Sequence, residues 1–201
     1  MLVHDGRIVT ETSLMLLYLD AAFPAVSLLP PSAAERYRMH VWARVSNDYF
    51  APALMLLGWH AHMVPRMEGR DLGLAAQGLS RLPPERQVVW RAALSDSYSE
   101  AQLATARQSL EIVARRMEEA LNSSEWLAGS RYSLADIAIF PMTQSLASLL
   151  PDIVNTAATP STARWLERVR ARPAVRKVLN MARNERPEQL FAPGPETGRW
   201  G

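Results

Sequence analysis

Residues 126–141 decide the fold, and they read Trp126-Leu127-Ala128-Gly129-Ser130-Arg131-Tyr132-Ser133-Leu134-Ala135-Asp136-Ile137-Ala138-Ile139-Phe140-Pro141. Ser133 and Asp136 have the spacing of a capping box, in which each side chain bonds the backbone amide of the other. The residues that follow are mostly apolar as far as Leu150, and a helix that is apolar nearly all round is buried. Pro141 lies inside this helix and should kink it, because its ring replaces an amide donor. The stretch therefore predicts a buried helix over 133–150.

That stretch resembles the core helix of the helical domain of glutathione transferases, with its W-L-A-G turn, S-x-x-D box and downstream proline. Two further runs are similar to the same family. Residues 3–20, V-H-D-G-R-I-V-T-E-T-S-L-M-L-L-Y-L-D, look like the last two strands and the final helix of its thioredoxin-like domain. Residues 165–175, which follow the pattern W-L-x-R-x-x-x-R-P-A-V, look like its closing helices. The resemblance covers the chain from Leu2 to about Asn184.

The composition is that of a soluble globular protein with a sizeable core, since 48% of the 201 residues are hydrophobic and 21% are charged. The formal net charge is only +2, which does not favour a nucleic-acid partner. The sequence contains no apolar run of membrane-spanning length and no signal-peptide pattern, so we expect a cytoplasmic protein. Cysteine is absent, which excludes disulfides, thiolate metal sites and a cysteine nucleophile within this chain.

Two short β-prone runs on either side of Asp5-Gly6 predict a tight hairpin, and a strongly apolar helix is predicted from Thr12 to about Ala22. An isolated hairpin is marginally stable in water, so this piece should need further cover. The resemblance implies that a strand-helix-strand unit with the catalytic Ser, Tyr or Cys would come before Leu2. We therefore assign no catalytic residue, and expect that the gene start is set too far downstream or that the catalytic half has been lost.

Glu11 and Thr12 match the Glu-Ser pair with which the family holds the γ-glutamyl end of glutathione. A carboxylate suits the ligand ammonium, and a hydroxyl at a helix N-terminus suits the ligand carboxylate. The residues alone favour a simpler interpretation, in which Thr12 is a helix cap and Glu11 is an acid that the helix dipole favours. The resemblance favours the glutathione-binding role, with glutathione as co-substrate.

A long helix is predicted from Ser32 to about Tyr49, with Tyr37, Val41, Trp42, Val45 and Tyr49 near helical spacing. Within it, Trp42, Asn47 and Tyr49 are candidates for the pocket that binds the electrophile, although core packing is the alternative for each aromatic ring. Arg44 and Asp48 should pair four residues apart.

Further along the chain, Ala51-Pro52-Ala53 should interrupt or restart this helix. His60 and His62 are two residues apart and do not share a helix face, so we predict no metal site. Residues 65–97 should form an irregular connector with a short helix around Trp90.

A second long helix is predicted over 99–122. Its buried stripe should contain Leu110, Val113, Met117 and Leu121, and Glu111 should pair with Arg115 on its solvated side. A helix that begins near Thr159-Pro160 should turn Trp165, Leu166 and Val169 inward. The last helix, which follows Arg172-Pro173, should do the same with Val175, Val178 and Leu179.

These observations predict a mainly α protein in which a partial thioredoxin-like piece (residues 1–27) precedes an all-α domain (32–184) and an extended tail (185–201). The resemblance implies a glutathione-transferase-like protein that transfers glutathione to a small hydrophobic electrophile, with reduced or no activity if the thiol-activating segment is missing. The alternative is a non-catalytic binding or assembly module. The resemblance also implies a homodimer through the helices at 12–22 and 32–49, unless the tail covers that surface through Phe191 or Trp200.

Overall fold

The structure is a computed structural model that describes residues 1–63, 78–80, 84–95 and 97–181, and it is mostly helical. The N-terminal elements are β1 (Leu2–His4), β2 (Arg7–Val9), α1 (Thr12–Ala22), α2 (Ala33–Val45) and α3 (Ala51–Gly58). The later helices are α4 (Pro84–Leu94), α5 (Glu100–Ser123), α6 (Leu134–Leu149), α7 (Pro160–Ala171) and α8 (Pro173–Met181). This confirms the predicted mainly α fold with a hairpin and a helix at its start.

The predicted hairpin forms, and β1 pairs with β2 in antiparallel register with Val3 opposite Ile8. Its turn residues Asp5 and Gly6 have φ angles of 49° and 74°, as a two-residue turn of this kind requires. The hairpin is tied to α1 by a hydrogen bond of 2.8 Å between Nδ1 of His4 and the Tyr18 hydroxyl.

Helix α1 has the predicted bounds, but none of its residues is buried. Leu16 and Leu17 pack against the core of the bundle, whereas Leu14 is 57% exposed. The loop after α1 joins the bundle directly, because the amide of Leu134 donates to the carbonyl of Leu28 at 3.3 Å. The apolar helix is therefore covered on one side, as its composition required.

The predicted long helix is built from α2, a wide π-helical turn at Ser46–Phe50, and α3. Pro52 lies in the first turn of α3, where the sequence predicted a restart. The buried apolar residues of α2 are Met39, Trp42 and Val45, and Phe50 ends the wide turn fully buried. Tyr37 and Tyr49 are 70% and 57% exposed, so the inward stripe omits two of the aromatic residues that the spacing placed on it.

Helix α5 buries Leu110, Val113, Met117 and Leu121 as predicted. It begins at a capping box between Ser99 and Gln102 that the sequence analysis did not identify. The predicted ion pair between Glu111 and Arg115 is wrong. Glu111 pairs instead with Nε of Arg107 at 3.1 Å. The guanidinium of Arg107 also forms an ion pair with Asp152, in the loop before α7. Asp152, which lies in another element, helps to position Arg107 beside Glu111. The spacing rule within one helix takes no account of such a contact.

Helix α6 is the buried helix that the sequence predicted, with the Ser133–Asp136 capping box at its start and Pro141 inside it. Both the amide and the hydroxyl of Ser133 donate to Oδ2 of Asp136, at 2.9 and 3.1 Å. Its core neighbours come from α2, α3 and α7. The helix occupies the centre of the bundle, and its first turn faces α1.

The last two helices close the bundle. Trp165, Leu166 and Val169 of α7 are buried as predicted. In α8 the prediction is correct for Val175 and Leu179, which pack against the core, and wrong for Val178, which is 61% exposed. Val178 lies about 100° around the helix from Leu179, and the face of α8 that packs on the core is too narrow to include it.

The predicted short helix around Trp90 is α4, and Trp90 meets Trp59 edge to face with ring centroids 4.8 Å apart. Residues 65–77, 81–83 and 96 of the predicted connector lie outside the described residues, as does the predicted tail at 185–201. In the ranges described, no helix is both long and apolar enough to cross a membrane.

Candidate functional site

The N-terminus of α1 has an unusual backbone. Glu11 is its N-cap residue, with φ of 65° and ψ of 112°, and its side chain makes no capping hydrogen bond. A residue other than glycine at positive φ costs of order 1–3 kcal/mol and persists only where the surroundings impose it. Thr12 follows as the first residue of the helix, so it is not the cap residue that the simpler interpretation required.

This helix end keeps its polar groups available. The carbonyl of Glu11 accepts the amide of Met15 at 2.8 Å, but in the part of the chain that the structure describes neither the Glu11 carboxylate nor the Thr12 hydroxyl has a hydrogen-bond partner. Glu11 and Thr12 are both exposed. Free amides at a helix N-terminus favour an anion, and the carboxylate beside them favours a cation. The site can therefore take a zwitterionic end group.

A cavity of about 220 Å³ lies beside this helix end, between α1, α2 and the start of α6. Its lining is almost entirely apolar, with a polar rim. The lining residues are Ser13, Leu14, Leu16, Leu17, Met39, His40, Ala43, Arg44, Asn47, Leu134 and Ala138. Small-molecule sites combine an apolar body with a few placed polar groups in this way.

Asn47 joins the cavity to the helix end. Its Nδ2 atom donates to Oγ of Ser13 at 3.2 Å, and Ser13 directly follows Thr12. The wide turn at Ser46–Phe50 carries Asn47, and π-helical turns of this kind occur frequently at functional sites. Of the three predicted pocket residues, Asn47 is the one that lines this cavity.

The other two predicted pocket residues lie elsewhere. Trp42 is 7% exposed, and its indole nitrogen donates to the carbonyl of Leu127 at 2.9 Å, which is the position of a core residue that fastens α2 to the loop before α6. Tyr49 is 57% exposed. Their role as electrophile-binding residues stays a prediction.

The rim of the cavity has one strong electrostatic contact. Nε and Nη2 of Arg44 lie 2.7 and 2.6 Å from Oδ2 of Asp48, which confirms the predicted pair. Across the residues described, no group of three or more His, Asp or Glu side chains is placed to hold a metal ion.

Sequence reasoning missed the apolar walls of the cavity, although a signal for them exists. Ser13, Leu16 and Leu17 have the spacing of one helix face. Leu134 and Ala138 are likewise one turn apart at the start of α6, within the stretch that decides the fold. Their shared cavity depends on how two separate helices cross, and periodicity within each helix does not contain that information.

The fold and the site together define a protein of the glutathione-transferase-like fold, in which a hairpin and helix precede an all-α bundle. A sequence model of the family described as "Glutathione S-transferase, C-terminal domain" matches residues 82–173. Over residues 82–173 the chain is therefore similar to this domain of the glutathione S-transferase family.

The similarity extends beyond that domain. The chain is 29% identical over 189 residues to protein LigF of Sphingobium sp. (strain NBRC 103272 / SYK-6). The aligned region covers 90% of this chain and 73% of LigF. The crystal structure of the beta-etherase LigF superposes with a TM-score of 0.81 at 28% identity, covering 89% of this chain and 76% of that one. Both matches extend well beyond residues 82–173.

Two other proteins show narrower or more distant similarity. The disulfide-bond oxidoreductase YfcG of Escherichia coli (strain K12) is 36% identical over 63 residues, which is 31% of this chain and 28% of YfcG. A sphingomonad glutathione S-transferase solved with glutathione has a TM-score of 0.62 at 22% identity, covering 90% of this chain and 71% of that one. This last likeness concerns the fold alone.

Proposed function

We propose that this protein is a cytoplasmic glutathione-dependent transferase that binds glutathione at Glu11 and Thr12 and transfers it to a small apolar electrophile in the cavity between α1, α2 and α6. One observation carries the proposal: a strained, uncapped helix N-terminus with a free carboxylate opens beside an apolar cavity. The match of residues 82–173 to the glutathione S-transferase C-terminal domain supports it.

The γ-glutamyl end of glutathione complements this helix end. Its ammonium would lie against the Glu11 carboxylate, and its carboxylate would accept from the Thr12 hydroxyl and the first amides of α1. In this arrangement the strained backbone at Glu11 turns its carboxylate out of the capping position, and the first amides of α1 are left free to bind the ligand. A hydrogen bond to a charged group is worth about 1.5–3 kcal/mol, and an anion at an exposed helix end about 0.3–1 kcal/mol.

The transfer step needs the glutathione sulfur beside the electrophile. The thiolate sulfur forms a bond to an electrophilic carbon, and the leaving group departs with the electron pair and takes up a proton. The apolar walls would hold the electrophile and exclude water, so that the two reactants meet at high effective concentration. LigF is described as a beta-etherase, so we propose a small apolar ether, whose oxygen is the leaving group, as the substrate class.

Calorimetric titration of the full chain with glutathione tests the binding step. We expect a Kd of roughly 1 mM, because about 4 kcal/mol is what one small end group can supply. Glu11→Gln and Thr12→Val should each weaken binding about tenfold, which is the loss of one charged hydrogen bond. Glu100→Gln is the matched control, since Glu100 is an exposed acid in the first turn of α5. Undiminished binding by both site variants would contradict the proposed site.

Mass spectrometry of the products tests the transfer step separately. Incubation of the protein with glutathione and a small aryl ether should give a thioether adduct and the freed hydroxyl compound in equal amounts. If glutathione binds but no adduct forms with any electrophile, the protein is the binding module that the sequence left as the alternative. That result would contradict the transferase proposal while leaving the glutathione site intact.

We also propose that residues 1–27 and 32–184 act as two parts of one unit, and that the protein forms a two-fold homodimer through α1 and α2. Leu14, Tyr37 and Val41 of these helices are 57%, 70% and 39% exposed. Contiguous exposed apolar surface on such helices favours association, and two-fold dimers are the commonest oligomers.

A further inference from the structure

We propose that the outer face of α7 and α8 is a docking surface for an acidic segment of a partner protein, independently of the transferase site. The proposal begins with four arginines at four-residue intervals, which we call the arginine row. They are Arg164, Arg168, Arg172 and Arg176. Arg164 and Arg168 lie one turn, about 6 Å, apart in α7. Arg172 ends that helix in an extended conformation, and Arg176 follows in the first turn of α8.

Arg164, Arg168 and Arg172 are held in place by contacts that leave their charges uncompensated. The guanidinium of Arg168 lies 5.4 Å from the ring centroid of Trp126, and that of Arg172 lies 3.6 Å from the centroid of Tyr132. Those two rings meet edge to face at 5.1 Å, so the two arginines are neighbours. Arg164 donates to the Ser161 hydroxyl at 2.8 Å.

None of these contacts supplies a negative charge. Arg168 donates to the carbonyl of Glu125 at 2.6 Å rather than to its carboxylate, and its Nε atom is buried without an acceptor. Glu167, the one acid within α7, pairs with Arg170 at 2.7 Å. Within the part of the chain that the structure describes, no member of the arginine row forms an ion pair.

Two further cations extend the same surface. Lys177 follows Arg176 on α8, and Arg131 precedes Tyr132, whose ring lies under Arg172. Arg131, Arg176 and Lys177 are exposed, and none of them has a polar partner among the described residues. Exposed basic residues on a helix are usually paired with acidic residues four positions away. The described residues of α7 and α8 place no acid four positions from a member of this patch.

The arrangement fits carboxylates better than a long polyanion. Stacked guanidinium groups retain N–H donors in a planar fork that matches a carboxylate, and their fixed positions reduce the entropy lost on binding. The patch holds six cations, whereas the whole chain has a net charge of +2, so the rest of the surface is net negative. A long nucleic acid would meet that negative surface, whereas a short acidic segment would contact the patch alone.

Fluorescence anisotropy with labelled poly-L-glutamate as the probe tests the proposal on the full chain. Binding should be measurable at low ionic strength and should weaken as salt is added. The double variant Arg176→Gln/Lys177→Gln should weaken binding about fivefold, which is the combined effect of two exposed ion pairs. It should fold normally, because neither side chain forms a hydrogen bond or ion pair with the residues that the structure describes.

The control is Arg7→Gln/Arg91→Gln, which removes two exposed arginines outside α7 and α8 and should change binding by less than about twofold. Arg164→Gln provides a second variant within the patch if the double variant fails to fold. Equal losses in the patch and control variants, or no binding of poly-L-glutamate at low salt, would overturn the proposal. Tighter binding to an oligothymidylate single strand than to poly-L-glutamate would also overturn it and identify the surface as a nucleic-acid site.

Discussion

The indole nitrogen of Trp165 in α7 donates a hydrogen bond of 2.8 Å to Oδ1 of Asp136 in α6, and both side chains are fully buried. The same oxygen accepts the amide of Leu127 at 3.1 Å, while Oδ2 accepts from Ser133. One carboxylate thus joins the loop, the helix start and the closing helix. Burial raises the pKa of Asp136, and the bonds from Leu127, Trp165 and Ser133 oppose that rise.

Asp136→Asn should destabilise the protein by about 3 kcal/mol, because an amide group would turn a donor toward donors that the carboxylate now satisfies. Urea unfolding followed by Trp fluorescence measures this change. Asp5→Asn is the control, since the Asp5 side chain is 89% exposed in the hairpin turn, and it should shift stability by less than about 0.5 kcal/mol. A loss at Asp136 no greater than that of the control would contradict the role of this carboxylate as the link between the three elements.

Gly129→Ala should destabilise the turn before α6. Gly129 has φ of 154°, and an added Cβ would collide with the carboxylate end of the Glu35 side chain. Glu35 accepts from the amide and hydroxyl of Ser130 at 3.1 and 3.2 Å, so it would have to give up the bonds that tie α2 to this turn. We expect a loss of about 2 kcal/mol from backbone strain alone, measured as a lower Tm.

A double-mutant cycle separates the collision from the strain. In the Glu35→Ala background, Gly129→Ala should lower Tm by less than it does in the wild type, because the colliding side chain is gone. Equal shifts in both backgrounds would show that Glu35 moves aside without cost and that the backbone conformation alone requires glycine.

Glu118 should make the stability of the protein depend on pH. Burial would raise the pKa of Glu118, but the backbone and side-chain hydrogen bonds from Ser161 and Thr162 together outweigh it and lower that pKa below its usual 4.5. Since the folded pKa is the lower one, the stabilisation is complete above the unfolded value and is lost as pH falls through the folded value. Glu118→Gln should therefore cost about 2 kcal/mol at pH 7 and progressively less below about pH 4.5.

The neighbouring acid provides the control for this pH dependence. Glu119 is exposed on the same helix, and Glu119→Gln should leave both the stability at pH 7 and its decline in acid within about 0.5 kcal/mol of the wild type. Unfolding curves collected from pH 3 to pH 7 make the comparison. A stability difference between wild type and Glu118→Gln that stays constant over this range would contradict the assignment.

The sequence was sufficient for the architecture because the decisive features are local. The Asp5-Gly6 turn, the bounds of α1 and the start of α6 each depend on residues within a few positions of one another. Local preferences of this kind do not depend on tertiary contacts, and in this protein both favour the same structure.

The contacts between elements could not be predicted in the same way. The bond from Trp165 to Asp136 joins residues 29 positions apart, and Glu118 reaches the amide of Ser161, which is 43 positions away. The wide turn at Ser46–Phe50 also changed the inward face of the first long helix, so Tyr49 points outward. For the candidate site, the sequence suggested Glu11, Thr12 and Asn47, whose roles stay predictions, but it did not indicate the cavity that Asn47 lines.

The last prediction concerns association. Light scattering at micromolar concentration should give about twice the chain mass of 22.4 kDa, because α1 and α2 expose apolar surface that a two-fold contact would bury. Tyr37→Glu places a charge on that surface, where Tyr37 is 70% exposed, and it should yield folded monomers. Val178→Glu is the matched control, since Val178 is 61% exposed on α8, and it should remain dimeric. A monomeric wild type would contradict the dimer. If deletion of residues 185–201 then produced dimers, the tail would be identified as the segment that covers this surface.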